Sequence, residues 1–530
     1  MKKIVAILFY FAGLSLYSIA QQLSVKLKPQ IIETLPALHS FAWAEYNSKI
    51  LLFGGRTDGL HRRQPFAAFD AEGRPANIFM LTIDNGSTIY RDLSEFPMGI
   101  REQLQSTNME FAQDDSLFYL FGGYGYSEQA QDHITFPYLT KINLPLLIDR
   151  IQNNLPIGGA FAQITDERVA ITGGRAGKIG TRYFIYGGHR FEGRYNPMNG
   201  PSFVQTYTNA LRSFEIQQNG LLSEIVDYTE QIDTAKFHRR DFNLVPQVLP
   251  GGEYAFTAYS GVFRTDFDLP YTNAITTNLG ESYEEQGFNQ YLNHYHCAVT
   301  PIFMNNADEM HSIFFGGMAQ YFPDSNGTLI QDNTVPFVST IADVKRDGAG
   351  VLSETALEIS MNGLKGAGSE FIPNPSVNRT SHGVLVLQEL PLDSLLLGWI
   401  IGGIEADMPS VFWVNDGTQS RAENMVSEVW LYGNAPASVL KIENELDLRV
   451  FPCPMNDHVY VNANLSQETD VEIIIHTASG KSVYRRRIKN VGAGEFKHTV
   501  EIDEALPAGM YVLQVNTQVG SQKIKLVVSD

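Results

Sequence analysis

The chain has 530 residues, 44% apolar and 18% charged, enough material for a large packed core. Its formal net charge of −19 repels nucleic acid and anionic lipid, which excludes both as partners. With two cysteines, Cys297 and Cys453, stability has to come from packing and not from a disulfide framework.

The first residues read as an export signal. Lys2 and Lys3 precede an apolar run from Ile4 to Leu16, and Ser18-Ile19-Ala20 offers small residues to a signal peptidase. This predicts a signal peptide over residues 1–20, cleaved between Ala20 and Gln21. Losing both lysines takes the net charge from −19 to −21. The apolar run is shorter than the ~18 residues a spanning helix needs. The longest later candidate, Leu395 to Gly403, is strand-sized, so no membrane span is expected.

Next comes Leu23-Ser24-Val25-Lys26-Leu27-Lys28, a period-2 strand pattern. A different pattern then repeats. A short apolar run stops at a double glycine at Phe53-Gly54-Gly55, Phe121-Gly122-Gly123, Tyr186-Gly187-Gly188, Phe315-Gly316-Gly317 and Ile401-Gly402-Gly403. Unbroken runs of this length read as strands buried on both faces. The steps between copies are 68, 65, 129 and 86 residues, and 129 is close to two steps. A sixth copy is therefore expected at Glu253–Gly261, with one glycine lost. In the third unit Thr172-Gly173-Gly174 competes with Gly187-Gly188 for the strand end. A second strand follows the variable loop at Asn77, Asn209 and Asn273, and at Glu428 in the last unit. β-rich units of this kind pack side by side around an axis.

These residues resemble kelch repeats over about 23–434. The resemblance implies an all-β fold, a six-bladed kelch-like β-propeller over residues 21–436. Its units exceed the ~50 residues of a typical kelch blade, which implies long loops. The last unit ends at its third strand, Val429–Tyr432, while the N-terminal strand has no inner strands before it. The N-terminal strand is therefore expected to complete the last blade and remove the exposed edge. No long amphipathic helix is expected.

Asn434-Ala435-Pro436-Ala437 marks a boundary, and residues 437–530 read as a separate small antiparallel Ig-like β-sandwich. Strands are expected at Val459–Val461, Val471–Ile475, Ser482–Tyr484, Phe496–Glu501, Met510–Val515 and Lys523–Val527. Phe451-Pro452 with Pro454, Asn456-Asp457, Ser479-Gly480-Lys481 and Leu506-Pro507-Ala508-Gly509-Met510-Tyr511 resemble the C-terminal sorting domain of the type IX secretion system. Cys453, where that family has a polar residue, and the Val-Val-Ser-Asp end depart from it. The resemblance implies contact with the type IX machinery and a secreted or outer-cell-surface location.

In a kelch blade the loop after the double glycine and the loop entering the innermost strand emerge on one face. Arg56, Arg101, His189, Arg240, His296 and His382 are the candidate binding residues there. Cations gathered on one face of an acidic protein suit a carboxylate or sulfate ligand, because Arg binds such groups bidentately. Structural roles near inner-strand starts compete for His39, Arg101 and His382. Tyr291, His294, Tyr295, His296 and Cys297 are the densest reactive cluster. Galactose oxidase, a copper enzyme on a kelch propeller, also uses a Tyr-His pair. Strand alternation, however, would send Tyr295 and His296 to opposite sides. Asp266-Phe267-Asp268 and Asp324-Ser325-Asn326-Gly327 read as solvated turns and not calcium loops. No metal, cofactor or catalytic residue is assigned.

The expected role is non-catalytic recognition of an extracellular glycan or protein. The alternative is an extracellular carbohydrate-active enzyme of epimerase or copper oxidase type. A deep central pocket holding a carboxylate with a perturbed pKa would favour the enzyme.

Overall fold

The structure is a computed structural model. It describes residues 23–433 and 448–528, apart from 64–66, 84–85, 197–201, 221, 325, 415, 453–454, 456–457, 466–467, 478–481, 502–505 and 518–520. The expected signal peptide with Ala20 and Gln21, and Cys453, lie outside the described residues. Cys297 is free and buried. The chain divides into two compact units, one up to Asn434 and one from Ala435.

In the first unit six antiparallel sheets follow one another, each built on four strands. The leading strands are Ala42–Tyr46, Glu110–Asp114, Arg175–Ile179, Asn243–Val248, Ala298–Met304 and Glu370–Pro373. They surround a central channel. The strands that run into the glycines are the second in each sheet, and their apolar residues are buried on both faces. One apolar layer lies between each pair of consecutive sheets. Phe53 and Leu51 meet Phe118 and Leu120, for example, while Leu52 and Leu81 meet Ile401 and Trp399 of the sixth sheet. The sixth sheet thus packs on the first, and the sheets form a propeller-like ring.

The closing strand is the N-terminal one. Ser24–Ile31 runs antiparallel to Met425–Tyr432, with Val25 opposite Leu431. In the third unit the second strand is Arg182–Tyr186, so Gly187-Gly188 ends it. Gly173-Gly174 precedes the inner strand instead.

The double glycine is a joint between neighbouring sheets. The first glycine has φ of +57° to +66° at Gly54, Gly122, Gly187, Gly316 and Gly402. A carbonyl of the next sheet's lead-in crowds the place of a Cβ, at 2.0 Å for Ile171 beside Gly122 and 2.2 Å for Leu38 beside Gly402. The second glycine donates its N–H to such a carbonyl, at 2.8 Å for Gly123 to Ile171 and for Gly403 to Leu38. In the fourth sheet Ser260 takes the first position at φ +52°. There the corresponding bond, Gly261 to His294, lengthens to 3.3 Å.

The long loops build structure of their own. Tyr124–Ser127, Asp132–Thr135, His189–Gly193 and Phe203–Tyr207 form a four-stranded sheet after the glycines of the second and third units. Leu364–Ala367, Ile404–Ala406 and Ser420–Ala422 form a three-stranded one. Leu385–Leu387 adds a parallel fifth strand to Ala298–Met304. A helix at Leu144–Gln152 is absent from the sequence reading. Asn143 caps it by accepting from the Leu146 N–H at 3.0 Å, and Leu144, Leu147, Ile148 and Ile151 form its buried stripe.

The second unit is a two-sheet β-sandwich. One sheet orders Arg449–Phe451, His458–Leu465 and Gly494–Glu501. The other orders Ser482–Val491, Thr469–Thr477, Gly509–Asn516 and Ser521–Val528. Val461, Ile473, Val500 and Leu513 are among the residues that close its core. All six expected tail strands are present, and each is longer than its apolar segment.

Candidate functional site

The channel widens into two chambers that share His296. The chamber on the double-glycine side, called upper below, has a volume of about 500 Å³, and the opposite one about 950 Å³. Both lie in the size range of ligand sites.

Arg56, His189, Arg240 and His296 come from different connecting segments around the ring and all line the upper chamber. Arg101 and His382 do not join them. Residues 98–104 fold into a helix before the second inner strand, and Arg101 points from it to Glu128 at 3.1 Å. His382 belongs to the segment that leads into the added strand at Leu385–Leu387, so it lines the opposite chamber. There it stacks on Tyr254 with ring centroids 4.2 Å apart, and its Nε2 lies 2.9 Å from the Gln247 carbonyl. Tyr295 and His296 precede the strand that begins at Ala298, so strand alternation does not separate them. Both line the upper chamber.

The positive field expected from these cations is largely cancelled. Arg56 donates to Asp58 through Nε at 2.7 Å and Nη2 at 2.5 Å, while also reaching the Asp70 carbonyl at 3.1 Å. Arg240 donates to Asp241 at 2.5 Å and to the Tyr207 hydroxyl at 3.0 Å. Burial pushes His39 and His61 down to about 4 and holds His189 well below its ordinary value. These imidazoles are neutral at physiological pH. Tyr124, Phe191, Tyr195, Phe203 and Phe412 supply aromatic walls. The accessory sheet holds the first, second and fourth of these. The Tyr124 hydroxyl donates to the Gly193 carbonyl at 2.9 Å and accepts from the Tyr195 N–H at 3.0 Å.

Below His296 the inner strands contribute a buried charge cluster. Arg175 donates to Glu370 Oε1 at 3.3 Å, and His296 Nε2 lies 2.9 Å from the same oxygen. Burial alone would raise the Glu370 carboxyl, but His296 and Arg175 hold it below the usual range. Glu110 behaves oppositely. Burial pushes it up to about 8 against the Gly174 N–H, which donates to Oε1 at 2.6 Å. Its Oε2 is buried without a hydrogen-bond partner. Two carboxyl groups in one chamber are thus driven to different protonation states.

Glu110, Arg175 and Glu370 are absent from the sequence-level candidates, yet their position is systematic. Ala42, Glu110, Arg175, Asn243, Ala298 and Glu370 each pair with the last residue of the glycine-ended strand, Phe53, Phe121, Tyr186, Tyr259, Phe315 and Ile401. One residue per unit, the strand partner of the last residue before the glycines, marks this ring. Among the described residues no group of three His, Cys, Asp or Glu is placed to hold a metal ion. Among them, too, no helix is long and apolar enough to cross a membrane.

No curated protein matches the chain. Among solved structures it is similar to the protein YjhT, with 12% identity over 74% of this chain and 95% of that one, at a TM-score of 0.42. A fungal alcohol oxidase of the AA5 family in complex with copper aligns at 10% identity over 95% and 99% of the two chains, with a TM-score of 0.36. A glycoside hydrolase family 43 arabinoxylan arabinofuranohydrolase from Bacillus subtilis aligns at 9% identity over 93% and 96%, with a TM-score of 0.26. Residues 449–529 match the family described as the secretion system C-terminal sorting domain. This tail indicates export through the type IX secretion system, to the cell surface or the surrounding medium.

Proposed function

We propose that the exported protein is a kelch-type glycan-binding propeller whose ligand enters the upper chamber. The observation that carries this reading is the chamber's lining. Aromatic faces alternate with hydrogen-bonding groups, while the Arg56–Asp58 and Arg240–Asp241 pairs and the neutral imidazoles leave little net charge. Such a surface suits the apolar faces and hydroxyls of a sugar ring. A glycan-array experiment on the exported chain tests it. Selective retention of a glycan class is expected, and Tyr195→Ala should weaken it. An empty array, or retention unchanged in that variant, would overturn the reading.

A second reading, a carbohydrate-active enzyme, draws support from one observation. Glu110 and Glu370 face the lower chamber with pKa values pushed apart, as an acid and a base require. Chemical turnover of a retained glycan that disappears in Glu110→Gln while binding persists would favour it.

A further inference from the structure

We propose that Arg63 and Trp413 form a subsite at the rim of the upper chamber for an acidic sugar unit, one that bears a carboxylate or a sulfate. This rests on the reading of the chamber as a glycan site and extends it to the next unit of the chain.

Trp413 lies on a well-anchored loop. The Phe337 N–H donates to the Pro409 carbonyl at 2.8 Å, and the hydroxyls of Thr334 and Ser410 lie 2.7 Å apart. Val411 is fully buried in a cluster with Met318 and Phe337. With its neighbours pinned in this way, Trp413 remains 47% exposed. A large ring presented to solvent from a fixed base is a contact surface in wait of a partner.

Arg63 distinguishes the partner's chemistry. Its guanidinium lies 5.4 Å from the Trp413 ring centroid, and its Nη1 donates to the Trp413 carbonyl. Three guanidiniums line the chamber, those of Arg56, Arg63 and Arg240. Arg56 and Arg240 each carry an aspartate, whereas Arg63 has no carboxylate partner among the described residues. The anion recognition that the sequence suggested for Arg56 and Arg240 therefore moves outward to Arg63. A carboxylate or sulfate meets the guanidinium fork, and the same sugar's C–H face lies on the indole. The uncharged part of the glycan occupies the aromatic chamber within.

The test is isothermal titration of the exported chain with two matched pairs. One is galacturonate tetramers and their methyl esters, and the other is κ-carrageenan tetramers and their desulfated forms. The acidic member of one pair should bind roughly three- to fivefold tighter than its neutral counterpart, the scale of an exposed ion pair. The pair that responds distinguishes carboxylate from sulfate. The preference should vanish in Arg63→Gln, shrink in Arg63→Lys and fade at high salt. Trp413→Ala should weaken acidic and neutral members alike. Equal binding within both pairs, or a preference that survives Arg63→Gln, overturns the subsite and leaves the glycan reading standing. Failure of all four probes to bind overturns the subsite, and the glycan array then decides whether the glycan reading stands.

Discussion

Arg175 and Glu370 stand 195 residues apart in the chain, on the third and sixth inner strands, and meet across the channel at 3.3 Å. No local element joins them. The ring brings them together, and their pairing ties opposite sheets through the axis. Both side chains are mostly buried. Breaking such a pair leaves Glu370 leaning on His296 alone of the two, whereas removing both charges leaves neither unpaired. Arg175→Met should therefore cost propeller stability in denaturant unfolding, by less than the roughly 3–5 kcal/mol of a fully orphaned buried charge. Adding Glu370→Gln should restore much of the loss. Independent, additive effects of the two substitutions would contradict the coupling.

Glu110 sets an alkaline limit. Its folded-state value is raised to about 8 from an ordinary 4.5. A carboxyl group raised on folding favours the fold fully below its unfolded value, and that contribution is lost as pH rises through the folded one. Its contribution to the melting temperature, read as the difference between the wild-type and Glu110→Gln profiles, should thus decline between about pH 5 and pH 8. Glu110→Gln keeps the shape without the titrating proton, so its profile should lack this contribution. Parallel pH profiles for the two proteins would refute it.

The upper imidazoles act in the other direction. His39 and His61 are lowered to about 4 by burial, and His189 lies well below its ordinary 6.5. Bases depressed on folding leave stability intact above their unfolded value and erode it as pH falls toward the folded one. Stability should therefore fall between about pH 6.5 and pH 4. Because His39 and His61, lowered to about 4, are already uncharged in the folded protein at pH 6, the dissociation constant of an uncharged glycan should be the same at pH 6 and pH 8. A marked change between those two values would show that a charged imidazole takes part in binding.

Ring closure predicts a defect at a distance. Ser24–Ile31 covers the whole edge of Met425–Tyr432, and Leu23 and Val25 are buried in the layer between the fifth and sixth sheets. Deleting residues 21–34 should expose that edge and cause aggregation or a large fall in melting temperature. Light scattering and thermal melts check this. A monomeric truncation with an unchanged melt would mean that the strand is dispensable.

The sheets were legible from sequence because their signals are local. A run such as Leu117–Phe121 declares itself within five residues, and the glycines that follow it are demanded by one backbone turn and one carbonyl contact. Even the expected loss of a glycine in the fourth unit was readable, since Ser260 keeps the left-handed conformation at the same place. The unpaired N-terminal strand and the truncated last unit implied each other. The tail was readable for the same reason, as its strands alternate and its turns carry glycine and proline. The helix at Leu144–Gln152 escaped because nine residues hold too few turns to stand out from a buried strand.

The site was another matter. The resemblance to kelch repeats implied that Arg56, Arg101, His189, Arg240, His296 and His382 share one end of the ring, and the tertiary structure brings Arg56, His189, Arg240 and His296 together there but not Arg101 or His382. Sequence could not say that Asp58 and Asp241 would neutralise two of them, because that depends on side-chain direction within turns. It could not pair Arg175 with Glu370, or isolate Glu110, because each inner strand supplies one residue to the axis. Such residues become neighbours only when six sheets close. Local backbone chemistry thus determined the sheets, the repeat and the address. Burial and long-range pairing, which exist only in the assembled ring, decided which charges are cancelled and which carboxyl group keeps its proton.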